Sequence, residues 1–334
     1  MSAATGAFDE TRVSPVDAAG RFLRDNAWTV GLLVLLGALL AFTKTLQPSY
    51  GPGGIQSLAI AVLPLALAAV GQAIVVISGG IDLSLGSIMA LTSVVAASLM
   101  KSYPELSIAI VIAALLLGVL IGAINGGLVV VTRVPDIVVT LAMSFVWAGA
   151  ALLVLKAPGG AAADWLKELI KGYVLIDWIP KAALLLVVIV AVIWIPLRRS
   201  RLGISFFAIG SSQLAAYRSG VPVGRTKIAS YAVMGLFAAL AGLSITANTG
   251  IGSPVPGAYT LQSVAAIVLG GVSLAGGRGG VFGPIVAVVI LQLIRTDMTF
   301  LNVNTNLATV VNGAILIGVV MFGSLIQIRR ERAR

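Results

Sequence analysis

Apolar residues run along this chain in long blocks from about residue 27 to residue 328, and short polar or glycine-rich breaks separate them. A helix needs about 20 mainly apolar residues to cross the hydrocarbon of a bilayer. The blocks that read as spans are 27–42, 55–77, 85–100, 108–131, 137–155, 182–196, 228–248, 261–274, 281–294 and 307–326, ten in all. Those beside Gly79–Gly86 and Gly270–Gly280 are short for a full crossing. The pattern predicts an all-α membrane protein of about ten transmembrane helices, some broken or re-entrant at glycine-rich segments.

Charge then orients the spans. If both termini are cytoplasmic, fifteen of the 22 basic residues fall on the inside and seven on the outside. Basic residues concentrate on the cytoplasmic side of membrane proteins, so this orientation is expected. It divides the chain into a polar N-terminal segment 1–26, a polytopic domain 27–328 and a basic cytoplasmic tail 329–334. Segment 1–26 has no short apolar core followed by a small-residue cleavage site, so it reads as a cytoplasmic lead-in to the first span. The long inside loop 198–227 carries six basic residues and no acidic one, which makes it the most available handle for a cytoplasmic partner. The long outside loop 157–181 contains Asp164, Trp165, Leu166, Lys167, Leu169, Ile170 and Lys171. That spacing predicts a short amphipathic helix resting on the membrane surface.

Composition narrows the chemistry. Of the 334 residues 59% are hydrophobic and 10% charged, with no Cys and no His. So few charges cannot cover a soluble surface of this size, and lipid must be the solvent for much of the chain. Without Cys or His there are no thiolate or histidine metal sites, no Ser-His-Asp triad and no His base. All seven lysines lie in expected loops or span ends, which disfavours a Ser-Lys dyad inside the membrane. An intramembrane enzyme is therefore a poor fit, and no metal or cofactor is expected. The net charge of +10 does not point to nucleic acid, because the basic residues mark span ends and not an aromatic-rich face.

The residues left to carry function lie in and beside the glycine breaks. Asp82, within Gly79-Gly80-Ile81-Asp82-Leu83-Ser84-Leu85-Gly86, is the carboxylate nearest membrane depth. Such a group must be paired, hydrated or hydrogen-bonded. One reading is a broken helix on a permeation path. The other is a cytoplasmic turn in which Asp82, with Ser84 nearby, caps the helix starting near Leu83. The second break, with Gly270, Gly271 and Ser273, has the same two readings, close packing or re-entrant backbone. The two clusters echo each other, each placing a Gly-Gly pair at the end of a span. Gln72, Asn125, Thr140, Ser144, Asn248, Gln262, Gln292 and Asn312 are polar positions inside spans. Each suits an interhelical hydrogen bond, and together they suit a path for a neutral polyhydroxylated solute. No chain of acidic, basic or imidazole groups crosses the membrane, which counts against a proton-driven carrier. In the inside loop, Ser211 or Ser212 is placed to cap a helix ending at Gly220.

Three blocks resemble the permease subunit of ribose/monosaccharide-type ABC importers, within the branched-chain/ribose permease superfamily. They are 71–87 with its GGIDLS core, Asn125-Gly126 with Val134-Pro135-Asp136-Ile137-Val138-Val139-Thr140-Leu141, and 266–280 with GGVSLAGGRGG. The similarity runs from about residue 32 to residue 328. It implies a translocation path or broken-helix motif at Gly79, Gly80, Asp82, Ser84, Gly86, Asn125, Thr140, Gly270, Gly271 and Ser273, to which Asn248 is added as a polar position inside a span. It further implies an ATPase-coupling loop at Gly210, Ala215, Ala216, Arg218 and Gly220. Leu214 stands where that segment is usually acidic, and Ser211-Ser212-Gln213 replaces the usual GGN. An acidic contact to the ATPase is therefore not expected from this helix. The implied partners are ABC ATPase subunits, a periplasmic sugar-binding protein and a second, identical or different, permease chain in a bacterial inner membrane. The chain has no GxxxxGK[ST] motif of its own. The competing expectation is an ion-gradient-driven carrier or channel for a small polar solute.

Overall fold

The structure, a computed structural model, describes residues 27–255 and 257–304, with seven further positions between 307 and 321. Segment 1–26, the tail 329–334, Asn312 and most of the expected span 307–326 lie outside the described residues.

Among the described residues, eight helices are long and apolar enough to cross a membrane. They are α1 (Ala27–Leu46), α2 (Pro52–Ile77), α3 (Leu85–Ser102), α4 (Ser107–Thr132), α5 (Asp136–Val154), α7 (Lys181–Arg199), α10 (Val223–Thr249) and α12 (Phe282–Phe300). Shorter helices are α6 (Asp164–Ile170), α8 (Arg201–Ser211), α9 (Gln213–Arg218) and α11 (Tyr259–Leu269). The expected span 261–274 is not a full crossing helix. Its helix, α11, has 11 residues, about 16 Å at 1.5 Å per residue, against a hydrocarbon layer of about 30 Å. Gly270 ends it, and a run of glycines at positive φ follows, so this segment is a half-helix joined to irregular backbone. Such backbone is tolerated at depth only when packed on protein or water.

Helix α2 is the centre. It is apolar on all sides, and every residue from Val62 to Ile77 is buried. A helix with no polar face packs well when surrounded, and here α10, α12, α11 and α7 surround it. Helices α5 and α7 are equally apolar but lie outside, with Leu141, Phe145, Val187 and Val192 among their exposed residues.

The closest pairing is between α4 and α10. Gly118, Gly122 and Gly126 recur every four residues on the buried face of α4, while Ile108, Ile112, Leu116 and Leu120 face outward. A Cβ at Gly118 would land on the Gly235 carbonyl of α10, and one at Gly122 on the Tyr231 carbonyl. Small residues at this spacing let two backbones meet and gain dispersion contacts that lipid does not supply. Gly118→Ala is therefore expected to cost about 1–3 kcal/mol through overpacking. The measurement is detergent-solubilised thermal stability, with Gly127→Ala, where a Cβ meets nothing within 4 Å, as the silent control.

The segments between helices gather at two ends. Residues 78–84, 133–135, 199–222 and 270–281 share one end with the basic loop. At the other, 157–163 is stitched to the 250–252 turn by paired Gly159 and Gly252 backbone bonds of 2.9 and 2.8 Å. The expected amphipathic helix forms there as α6. Its Leu166 and Ile170 are buried, and Trp165 donates to Ser107 Oγ at 3.0 Å, so it rests partly on protein. The Lys167 hydrogen bond and charge hold the exposed Asp164 carboxyl below its usual range. A two-stranded hairpin, β1 (Tyr173–Val174) and β2 (Ile176–Pro180), follows α6 and is the one departure from helix among the described elements.

Candidate functional site

Both glycine breaks close their helices in the same way. At the end of α2, Gly79 takes φ 79° and donates to Val76 O, while Gly80 N–H donates to Val75 O. At the end of α11, Gly271 takes φ 81° and donates to Val268 O, while Val272 N–H donates to Ile267 O. A left-handed residue that satisfies the last carbonyls is the usual way to end a helix, and it favours glycine. Structurally, Ser78-Gly79 matches Gly270-Gly271, one residue out of step with an alignment on the Gly-Gly pairs. The sequence echo is thus a shared helix-ending device.

Asp82 ties down the backbone of the first break. Its Oδ1 accepts from Ser84 N–H and from Ser84 Oγ, both at 2.6 Å. Asn125 of α4 donates through Nδ2 to Ser84 Oγ at 2.7 Å and lies 3.4 Å from Asp82 Oδ2. Trp147 of α5 fixes that amide by donating to Asn125 Oδ1 at 3.1 Å. Thr140, also on α5, accepts Leu83 N–H at 3.0 Å and donates to Asp136 O at 2.8 Å. Asp82, Ser84, Asn125 and Thr140 are all fully buried. Asp82, Ser84 and Asn125 are thus bonded to one another, and Thr140 holds the same break through its backbone. Gly86 N–H reaches Thr260 of α11 at 3.0 Å, which ties the first break to the half-helix.

The second break folds back onto the first. Gly277 N–H donates to Ile77 O, the last carbonyl of α2, at 2.9 Å. Gly210, near the end of α8, is wedged against the same carbonyl, and its added Cβ would also come 2.5 Å from Gly277 N. A Cβ at Gly79 would come 3.5 Å from Gly210 Cα, and one at Gly276 3.2 Å from it. Three segments distant in sequence, the two breaks and the basic loop, therefore meet backbone to backbone at one point. At the other side of this break, Trp28 Nε1 donates to Leu269 O at 2.8 Å and packs under Gly271.

The helix expected in the basic loop is α9. Ser212 caps it, its Oγ accepting Ala215 N–H at 3.2 Å, and Ser211 is the last residue of α8. Its C-terminus closes through Val221 N–H to Ala216 O at 3.0 Å, with Gly220 at φ 81°. Ala216 is buried, while Leu214 and Tyr217 are 60% and 70% exposed and project from the surface. Ala215, Arg218 and Gly220 are exposed around them.

Asn248 is not brought into this cluster. It lies on the last turn of α10, at the opposite end. Ser273 belongs to the second break, where its N–H is bonded to Arg278 O at 3.1 Å. Gln292 bridges helices, donating to Ala61 O at 2.8 Å, and Ser144 bonds within its own helix. Gln72 is fully buried, with neither side-chain polar atom hydrogen-bonded among the described residues.

Three residues of the cluster carried no functional assignment from the sequence. Asp136 opens α5 and pairs with Lys227 of α10 at 2.8 Å, and Tyr231 donates to the other Asp136 oxygen at 2.8 Å. The available signal was Asp136 inside the Val134–Leu141 block, one of only 12 acidic residues in the chain. Beside them lies a cleft of about 920 Å³ between the α4–α5 turn and α9–α10, with Arg133, Tyr217, Arg225 and Lys227 among its walls.

The model of one family, described as the branched-chain amino acid transport system / permease component, matches residues 54–320. The chain belongs to this permease family. The Escherichia coli K12 ribose import permease protein RbsC is 30% identical over 311 residues, covering 90% of this chain and 95% of its own. A probable ABC transporter permease protein, y4mJ of Sinorhizobium fredii, is 34% identical over 87% of each chain. The autoinducer 2 import system permease protein LsrD of Escherichia coli O9:H4 is 30% identical over 82% of each. No solved structure matches. This permease is thus a multi-pass membrane component of an ABC transporter, and the hydrolysis of ATP falls to a separate subunit.

Proposed function

We propose that this permease, paired with a second permease chain, forms the membrane path of an importer for a monosaccharide or related polyol such as a ribose-like sugar. A periplasmic binding protein delivers the solute, and ABC ATPase subunits on the cytoplasmic side drive the cycle. The observation that carries this reading is the joint at Gly210, where the α8–α9 loop touches both helix breaks at once. A push on α9 from an ATPase has there a direct backbone route to the breaks. The names of the ribose and autoinducer 2 import permeases support a small polyhydroxylated substrate. The basic loop supports a cytoplasmic location for α9 and cytoplasmic termini. With α11 as a broken crossing and 307–326 as a further span, the chain makes about ten passes of a bacterial inner membrane. The exposed Leu214 and Tyr217 suit docking into an apolar groove of the ATPase.

The test is reconstitution. The permease is co-purified with the ATPase encoded beside it and placed in proteoliposomes with its binding protein and a panel of radiolabelled sugars. Uptake is expected only with ATP, the ATPase and the loaded binding protein together. Uptake by the permease alone, driven by an ion gradient or by diffusion, would replace this reading with the carrier or channel one.

A further inference from the structure

We infer that Asp136, Lys227 and Tyr231 form a latch through which displacement of the α9 segment reaches the first helix break. The inference rests on the ATP-driven reading above and assigns these three as positioning residues for it.

The geometry is a short chain of contacts. Lys227 Nζ lies 2.8 Å from Asp136 Oδ1, with the two side chains only 12% and 15% exposed. Tyr231, one turn further along α10, donates to Asp136 Oδ2 at 2.8 Å and holds its oxygen 3.4 Å from Ile81 O in the break. Both carboxylate oxygens are therefore engaged from α10. Gly80 rests directly on the pair: a Cβ there would come 2.7 Å from Asp136 Oδ2 and 2.8 Å from the Tyr231 hydroxyl. Between Lys227 and Tyr231, Ser230 Oγ sits 2.8 Å from Ser78 Oγ, on the near side of the same break. The backbone of Asp136 continues the chain through Thr140 to Leu83 N–H. The first three turns of α10 thus hold the break at Ser78, Gly80 and Ile81, and hold α5 through Asp136.

These turns are also the exit of the basic loop. Helix α10 starts at Val223, after the closed Ala216–Val221 turn of α9, so α9 and the start of α10 are separated by few free torsions. A shift of α9 must carry the Lys227 turn with it. The cleft between this turn and the Arg133 corner gives the turn room to move. A part-buried ion pair at the edge of a cleft contributes weakly to stability overall, and breaking it from one side leaves a poorly solvated charge without its partner. It therefore favours two defined positions, engaged or displaced as a unit, over a graded stretch. A staple that only held α5 to α10 would not require the break to sit on it.

The experiment uses the complete transporter in proteoliposomes. It measures three quantities: assembly with the ATPase, basal ATP hydrolysis, and the hydrolysis and uptake stimulated by the sugar-loaded binding protein. Lys227→Met and Tyr231→Phe are expected to assemble and keep basal hydrolysis, and to lose stimulation and uptake by about tenfold, the size of a coupling free energy. Lys227→Arg keeps the charge and is expected to retain most of the stimulation. Tyr231→Phe removes a single hydroxyl and keeps the packing, so it reports even where Lys227→Met folds poorly. Stimulation and uptake within about twofold of wild type in Tyr231→Phe and Lys227→Met overturn the latch. So does a parallel loss of assembly, basal hydrolysis and stimulation in Tyr231→Phe, which marks a structural staple. A wild-type complex without ATP-dependent uptake instead overturns the importer reading, and the latch with it.

Discussion

Gly210→Val is expected to abolish ATP-driven uptake while the permease still inserts into the membrane. A Cβ at this position lands on the Ile77 carbonyl oxygen, the acceptor for Gly277 N–H. Valine must therefore either displace the second break from α2 or push α8 away from both breaks. The first leaves the buried Ile77 carbonyl and the half-buried Gly277 amide without partners, at about 1–3 kcal/mol for the buried group. The second strains a packed contact at about 1–3 kcal/mol. Both choices act at the terminal carbonyl of α2 and leave the apolar bodies of the eight long helices in place, so the protein should still be recovered from membranes in near-normal amount. The measurement is uptake in proteoliposomes beside the yield and elution profile of the purified complex. Gly127→Ala, on the open face of α4, is the matched control. A Gly210→Val permease that transports within about twofold of wild type would remove the joint as the carrier of coupling.

The second large effect is at Asp82, where two substitutions separate backbone support from charge. Asp82→Ala removes the acceptor of Ser84 N–H and Ser84 Oγ and strips Asn125 of its neighbour. Two donors in a fully buried site lose their partner, at about 1–3 kcal/mol each, so uptake and stability should fall together. Asp82→Asn keeps an oxygen facing Ser84 but sets two amide donors against each other at the long 3.4 Å contact to Asn125, so it gives up only the weakest bond of the site. It should retain most of the uptake. If Asp82→Asn were as inactive as Asp82→Ala while folding normally, the carboxylate charge itself would be the functional element, as an ion- or proton-coupled carrier requires.

Several parts of this picture are local, and those were legible in the residues. The apolar blocks place the spans because bilayer thickness fixes the helix length. Asp82 and Ser84 are two residues apart, so their turn needs no distant partner. Ser212 and Gly220 enclose α9 through caps that reach only a few residues. The sequence left Ser211 and Ser212 as alternatives because α8 and α9 abut, and only the path of the chain shows which hydroxyl is free to cap. The half-length α11 was foreshadowed by Gly270 and Gly271, which end it locally, but the course of the backbone beyond it is set where Gly276 and Gly277 pack against Gly79 and Gly210.

The sequence by itself determined a helical membrane protein, the position of its breaks and the family those breaks mark. Tertiary structure alone decided which apolar helix is central and which is peripheral. Helices α2 and α5 read alike because lipid is as apolar as a protein core, so hydrophobicity does not separate a buried face from a lipid-facing one. It also decided that the two breaks and Gly210 meet, and that Asp136 pairs with Lys227, 91 residues away. These meetings depend on the fit of small residues such as Gly118 and Gly122 against α10. Such fit is a property of two surfaces together, and no single stretch of sequence contains it.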